Sequence, residues 1–253
     1  MAVQPWRTGK VVRIEDETNA TKRFWIEIPE LESFDFKPGQ FVTLDLPIHE
    51  KPNKRWRSYS IASWPDGTNV IELVIVLLEG GLGTNYLFNH VSVGSELILR
   101  GPQGVFTLPD PIDKDLFFIC TGTGIAPFRS MAHHILKNQV PHRNIYLIFG
   151  CRKICDSLYG PEMRELEKIA PSFKYIPTFS REDETHTDIR RGYVHAVYEE
   201  ICKQGIQTGE DGQPVPPPAR FYLCGWKNMI DEAKQRITAM GYDRKAIHLE
   251  LYG

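Results

Sequence analysis

Long apolar runs are absent from this sequence. The longest, residues 73–78 and 116–120, fall far short of the about 20 residues that a bilayer-spanning helix needs. The N-terminus, MAVQPWRTGK, carries no apolar leader, so membrane insertion is not expected and the cytoplasm is the expected location. Charge of one sign is also missing. Thirty Lys and Arg stand against 32 Asp and Glu, a net charge of −2, which gives neither nucleic acid nor an anionic membrane a global reason to bind. Cysteine is scarce and odd in number: Cys120, Cys151, Cys155, Cys202 and Cys224 form no dense framework, so reduced thiols and no disulfide are expected. Metal binding is unsupported too. Cys151 and Cys155 lack partner cysteines, and the adjacent His133 and His134 cannot share a helix face and have no further ligand at metal spacing.

What remains is ordinary globular composition, 42% hydrophobic, 11% aromatic and 25% charged over 253 residues, a length that suits two domains. The first hundred residues read as short strands, GKVVRI, TKRFWIEI, QFVTLDL, RSYSIAS, NVIELVIVLL and SELILR, cut by PGQ, PDG and GGLG. That rhythm predicts a barrel or a sandwich. From Asp115 the rhythm changes: LFFICTG runs into a helical stretch over residues 125–137, and NIYLIFG, PEMRELEKIA, FKYIPTF, VHAVYEEICKQG, RFYLCG and NMIDEAKQRITAM follow. Such alternation predicts a parallel α/β sheet. The boundary is placed in PDPIDK, giving domains 1–111 and 112–253, and QTGEDGQPVPPPA reads as an exposed loop.

Two short stretches of the first domain carry chemistry. In Arg57-Ser58-Tyr59-Ser60 strand alternation sends Arg57 and Tyr59 to one face and the serines to the other. A guanidinium can fork a diphosphate, a tyrosine ring can stack on a flat heterocycle, and a hydroxyl can hydrogen-bond its nitrogen. Downstream, Gly80-Gly81-Leu82-Gly83-Thr84 feeds Asn85-Tyr86-Leu87-Phe88, a Gly-rich turn at a helix N-terminus that suits phosphate. Taken singly, a plain surface strand and a flexible hairpin loop explain them as well. Their pairing resembles the flavin domain of the ferredoxin-NADP reductase family, and Gly101-Pro102-Gln103-Gly104-Val105-Phe106 resembles the segment that closes that family's barrel. The resemblance implies an N-terminal antiparallel β-barrel that holds FAD, followed by a parallel-sheet α/β domain that binds NAD(P). It implies that Arg57 contacts the flavin diphosphate, Tyr59 stacks on the ring, and Ser60 lies near N5, with Ser58 between them. Gly81, Leu82, Gly83 and Thr84 would hold the diphosphate; the family often has serine where Thr84 stands.

In the second domain Cys120-Thr121-Gly122-Thr123-Gly124-Ile125-Ala126-Pro127 joins a buried-type strand to a helix. It is not the G-x-G-x-x-G fingerprint, yet its glycines let backbone approach a diphosphate, and Pro127 suits a first helical turn. GTGIAP followed by Phe128-Arg129 resembles the nucleotide domain of the same family, which places Thr123 and Gly124 at the dinucleotide. Ser180-Arg181, with Arg190-Arg191 ten residues on, offers a hydroxyl and forked donors for a 2′-phosphate, although Glu182-Asp183-Glu184 opposes it. NADP(H) is therefore the expected substrate and NAD(H) the alternative.

Phe221-Tyr222-Leu223-Cys224-Gly225-Trp226 ends a strand in the place where a doubly wound sheet binds ligands. It resembles the family's Cys-Gly motif, whose thiol packs on the nicotinamide; a buried free cysteine is the alternative. The tail His248-Leu249-Glu250-Leu251-Tyr252-Gly253 is similar to the terminal strand of plastid-type members, which implies that Tyr252 covers the flavin and swings aside and that Glu250 handles a proton. Gly253 departs from that pattern. Ser60, Cys224, Glu250 and Tyr252 are thus the catalytic candidates. The expected activity is electron transfer between NADP(H) and ferredoxin or flavodoxin through FAD, by a monomer or weak dimer, with Lys51, Lys54 and Arg55 as docking charges. An NADH-dependent reductase component of an oxygenase and a flavin-binding subunit of a larger complex are the alternatives.

Overall fold

In the computed structural model the described residues are 4–183, 187–210 and 212–251. Packing divides the chain into two compact units, Met1–Leu108 with Ala126–Val140, and Pro109–Ile125 with Pro141–Gly253.

In the first unit, alternating residues such as Val42 and Leu44, Leu97 and Leu99, or Ile71, Leu73 and Ile75 all point into one core. This period-2 pattern builds six strands: β1 (Trp6–Thr18), β2 (Thr21–Glu27), β3 (Phe41–Asp45), β4 (Trp56–Ser60), β5 (Val70–Val76) and β6 (Glu96–Gln103). They form one antiparallel sheet in the order β4-β3-β6-β1-β2-β5. Register shifts at Val11/Arg13 and Asp16/Thr18 bulge the long β1 and add twist. Just past β4 the amide of Ala62 donates to the Glu72 carbonyl on β5 at 2.8 Å, so the two edges meet and the sheet closes as a barrel. Helix α1 (Leu82–His90) caps the core with Leu87.

Among the described residues, the main sheet of the second unit has five strands, β7 (Asp115–Thr121), β8 (Ile145–Cys151), β9 (Phe173–Phe179), β12 (Ala219–Gly225) and β13 (Ile247–Leu251). All pair in parallel in the order β13-β12-β7-β8-β9. The sheet is doubly wound, and the chain changes direction between β7 and β12. Leu116, Phe117, Phe118, Ile119 and Cys120 are all buried, as a strand covered on both faces requires. Three helices belong here: α3 (Gly160–Ile169), α4 (Val194–Gln204) and α5 (Lys227–Ala239). Val194, Val197 and Tyr198 of α4 and Ile230, Ala233 and Ile237 of α5 pack with Phe117, Ile119 and Phe221. The QTGEDGQPVPPPA stretch stays exposed, but Gln207–Thr208 and Pro214–Val215 pair as a two-residue hairpin, β10 and β11. No helix among the described residues is long and apolar enough to cross a membrane.

Helix α2 (Ala126–Lys137) is the crossover between β7 and β8, yet it packs with the first unit. Phe128 packs on Phe106 with tilted rings, centroids 5.8 Å apart, and Arg129 pairs with Glu72 at 2.9 Å. The packing division therefore leaves the chain at residue 108 and returns for this one helix.

Candidate functional site

The first unit brings its two motifs together. β4 carries Arg57, Ser58, Tyr59 and Ser60 to the barrel rim, and α1 starts beside them. A Cβ on Gly83 would lie 2.9 Å from Arg57 Cγ and 3.1 Å from its Nε, so glycine lets the helix start seat closely against that side chain in its present position. Arg57 Nη1 donates to the carbonyls of Trp56 at 2.8 Å and Lys54 at 3.1 Å, which fixes the guanidinium along the strand. Gly81 is the N-cap of α1, and the first amides of a helix have no acceptor within it. Leu82, Gly83 and Thr84 thus present N–H groups and the positive end of a helix dipole next to a guanidinium. The Thr84 hydroxyl is already engaged: it accepts from Leu78 N at 3.1 Å and donates to Gly81 O at 3.2 Å, closing the turn. Tyr59 is half-buried, and burial pushes its phenol up to about 12 against the pull of Arg57. The ring stays neutral at any ordinary pH. Ser60 is 4% exposed, while Ser58 is exposed and shares a hydrogen bond with Thr43 at 3.1 Å.

In the second unit the glycine turn and the Cys-Gly motif meet at the switch point. A Cβ on Gly124 would lie 2.3 Å from the Cys224 carbonyl oxygen, and one on Gly225, whose φ is +146°, would lie 2.3 Å from Thr121 Oγ1. Trp226 N–H donates to that same Oγ1 at 3.3 Å. Backbone therefore touches backbone at the C-terminal ends of β7 and β12, where a doubly wound sheet takes its ligand. Gly122 to Ile125 form a 3-10 turn with Thr123 in it, and α2 follows. Cys224 is fully buried and pairs in register with Cys120 on one side and Glu250 on the other. Burial, reinforced by the neighbouring Cys224 and Cys151, holds the Cys120 thiol well above its ordinary value. Glu250 is half-buried at the end of β13. Tyr252 and Gly253 lie outside the described residues.

The end of β9 gathers the basic residues. Phe179 N donates to Arg190 O at 3.0 Å and Gly192 N to Phe179 O at 3.0 Å, which lays Arg190 and Arg191 beside Ser180 and Arg181. Two of these side chains are committed elsewhere. Arg190 pairs with Glu200, and Arg191 Nη2 donates to Asp183 O at 2.6 Å. Ser180 Oγ donates to Cys151 O at 3.3 Å, and Arg181 is exposed. A shallow cleft lined by Arg164, Tyr175, Pro177, Phe179, Asp188 and Arg190 opens there. Glu184 lies outside the described residues.

Sequence reasoning noticed Arg129 only as a flank of GTGIAP. Its signal was a cation inside the apolar run APF-R-SMA, where nine residues of α2 are buried; a buried charge demands a partner, but no sequence rule names Glu72.

Two glycine turns at helix starts, one in each unit, are what the geometry offers, and the family matches say which class of enzyme carries them. Residues 8–108 match the oxidoreductase FAD-binding domain and residues 118–235 the oxidoreductase NAD-binding domain. The chain is 33% identical over 245 residues to ferredoxin--NADP reductase B of Sorangium cellulosum, covering 96% of both. It is 32% identical to the reductase component of propane 2-monooxygenase of Mycolicibacterium goodii, covering 91% of this chain but only 63% of that one. Among solved structures, the Amycolatopsis cytochrome P450 reductase GcoB superposes with a TM-score of 0.83 at 25% identity, over 99% of this chain and 71% of that one. A ferredoxin NADP+ reductase from Neisseria gonorrhoeae with bound FAD and NADP shares the fold, with a TM-score of 0.78 at 24% identity over 97% and 98%. The chain belongs to the ferredoxin-NADP reductase family of flavoenzymes.

Proposed function

We propose that the chain passes electrons between NADP(H) and a one-electron carrier such as ferredoxin or flavodoxin, with FAD held by residues 1–111 and the nucleotide by residues 112–253. The observation that supports this most is the pair of glycine cradles: Gly83 seats closely against the Arg57 side chain, and Gly124 has no room for a Cβ against the Cys224 carbonyl. Both lie at helix starts suited to diphosphates. Bound FAD supplies the exchange between two-electron transfer with the nicotinamide and one-electron transfer with the carrier. Arg57 and the α1 amides anchor the flavin diphosphate, Tyr59 offers a neutral ring face, and Ser60 a buried hydroxyl. Thr123 and Gly124 hold the nucleotide diphosphate. Cys224 packs at the nicotinamide end, and Glu250, next to it in register, accepts or releases a proton there.

The carrier meets the barrel near β4. Lys51 and Lys54 are exposed, whereas Arg55 is taken up by Asp45, its Nε donating at 2.6 Å. Beside them Arg100 is clasped between Trp6 and Trp56, 4.7 Å and 4.6 Å from the two rings, and Trp6 is 37% exposed. Two such aromatics around a cation suit a protein partner, and the lysines favour an acidic one.

Arg181 is the cation best placed for a 2′-phosphate, because Arg190 is spent on Glu200. Steady-state rates with NADPH and NADH test this. Arg181→Ala is expected to raise KM for NADPH on the order of tenfold or more and leave NADH unchanged. A wild-type preference for NADH, with no effect of the substitution, reverses the assignment. The second reading, an NADH-dependent oxygenase reductase, is favoured by that same Arg190–Glu200 pair and by the propane monooxygenase relative.

A further inference from the structure

We infer that Arg129 is a positioning residue for the flavin surface: from α2 it fixes the backbone that follows Ser60. The inference rests on the flavin reading above and adds a residue outside the motifs proposed to touch the cofactor.

Contacts from β5 and α2 converge on residues 62–64. Arg129 is 4% exposed, and its Nη1 donates to both Ala62 O and Glu72 Oε2 at 2.9 Å. Glu72 holds the same stretch from β5, since its carbonyl accepts from Ala62 N at 2.8 Å and its amide donates to Ser63 Oγ at 3.0 Å. The Glu72 carboxylate, 3% exposed, also accepts from Arg23 Nε at 2.6 Å. Finally, α2 grips the next side chain. His133 stacks on Trp64 with centroids 4.0 Å apart, and the Arg129 guanidinium and Lys137 Nζ stand 5.3 Å and 4.7 Å from the Trp64 ring. The segment leaving the RSYS strand is thus bound from β5 and α2 together.

Closing a barrel does not require this. Replacing a buried ion pair by well-packed apolar side chains of similar volume is often neutral or stabilising, and the role argued for this pair is placement. The guanidinium is rigid and planar, and one end of it bridges a carbonyl and a carboxylate. It sets the position of Ala62 relative to Glu72, and through two peptide units the position of the Ser60 hydroxyl. Lysine carries the charge without the planar geometry.

The test compares wild type, Arg129→Lys and Arg129→Met. Each is loaded with FAD and followed by its visible absorption, by its rate of flavin reduction at saturating NADPH, and by hydrogen exchange of residues 58–64 in the FAD-free protein. Both variants are expected to bind FAD with a displaced absorption band. Reduction should slow on the order of tenfold in Arg129→Lys and further in Arg129→Met, at unchanged KM for NADPH. Exchange over residues 58–64 should quicken while β1 and β2 stay protected. An Arg129→Lys protein with wild-type band, limiting rate and exchange overturns the inference, including where Arg129→Met fails to fold. A wild-type protein that takes up no FAD overturns the flavin reading instead, and faster exchange in Arg129→Lys then still separates the two.

Discussion

In the barrel unit a glycine stands against a side chain, Gly83 against Arg57, whereas in the parallel-sheet unit Gly124 stands against main chain, the Cys224 carbonyl at 2.3 Å. The cores differ in the same sense. The barrel buries an ion pair, Arg129 with Glu72, both under 6% exposed, while each described Lys or Arg ion pair within the second unit keeps at least one partner more than a quarter exposed. At Gly83 the neighbour is thus a side chain and at Gly124 a backbone carbonyl, which has less freedom to give way.

The contrast can be broken most sharply at Gly124. Gly124→Ala must push the Cys224 carbonyl, and a displacement of about 1 Å at a reacting site costs on the order of 100-fold in rate. The expected outcome is a fall of that size in kcat/KM for NADPH with FAD still fully bound, read by steady-state kinetics and flavin absorbance. Gly83→Ala should act more gently. Its Cβ meets only the Arg57 side chain, which can rotate, so FAD affinity should fall roughly tenfold, about 1.4 kcal/mol. FAD titration of the two apo-variants checks this. A Gly83→Ala protein that loses FAD entirely, or a Gly124→Ala protein with normal kinetics, removes the distinction.

Those cradles were legible because their parts are local. RSYS makes up most of β4, GGLGT follows β5 after three residues, GTGIAP follows β7 and CG ends β12, and although each alone is open to a plainer reading, their order along the chain carries the resemblance. The six barrel strands and four of the five parallel ones were legible for the same reason: apolar residues alternate in the first and run continuously in β7, whereas β13 was placed only by the resemblance of the tail. The partners of the charges were not. Glu72 lies 57 residues from Arg129, and Arg190 finds Glu200 only once α4 has formed. Nothing in a helical pattern said that α2 would pack with the barrel. The Thr84 hydroxyl reads in sequence as a phosphate ligand, and its engagement with Leu78 and Gly81 becomes visible only when the turn closes. Local chemistry announces which groups are present; tertiary contacts decide which are already spoken for.

The smallest expected effect separates the two units by pH. His195 on α4 is buried, its Nδ1 shares a hydrogen bond with Tyr198 Oη at 2.9 Å, and its Nε2 lies 3.4 Å from Glu232 on α5. Burial lowers its pKa below the ordinary 6.5; Arg236 adds to this, and Glu232 and Glu199 oppose it without winning. His248, in the same unit, is also lowered, by burial and by Arg220. The unfolded chain then binds protons at a higher pH than the folded one, so stability from these groups is complete above about 6.5 and is lost as pH falls below it. In the barrel unit His134 is lowered by burial alone, while the Arg129–Glu72 pair anchors α2 independently of it. Wild-type Tm should therefore drop between pH 7.5 and 5.5, and His195→Asn should flatten the drop. The expected change is about 2–4 °C, the size that roughly 1 kcal/mol produces in a chain of this length. Hydrogen exchange at the two pH values, corrected for intrinsic rates, should show the loss concentrated in α4 and α5. Equal loss in the barrel strands would mean that the two units unfold as one, and the contrast between them would then hold for their binding surfaces alone.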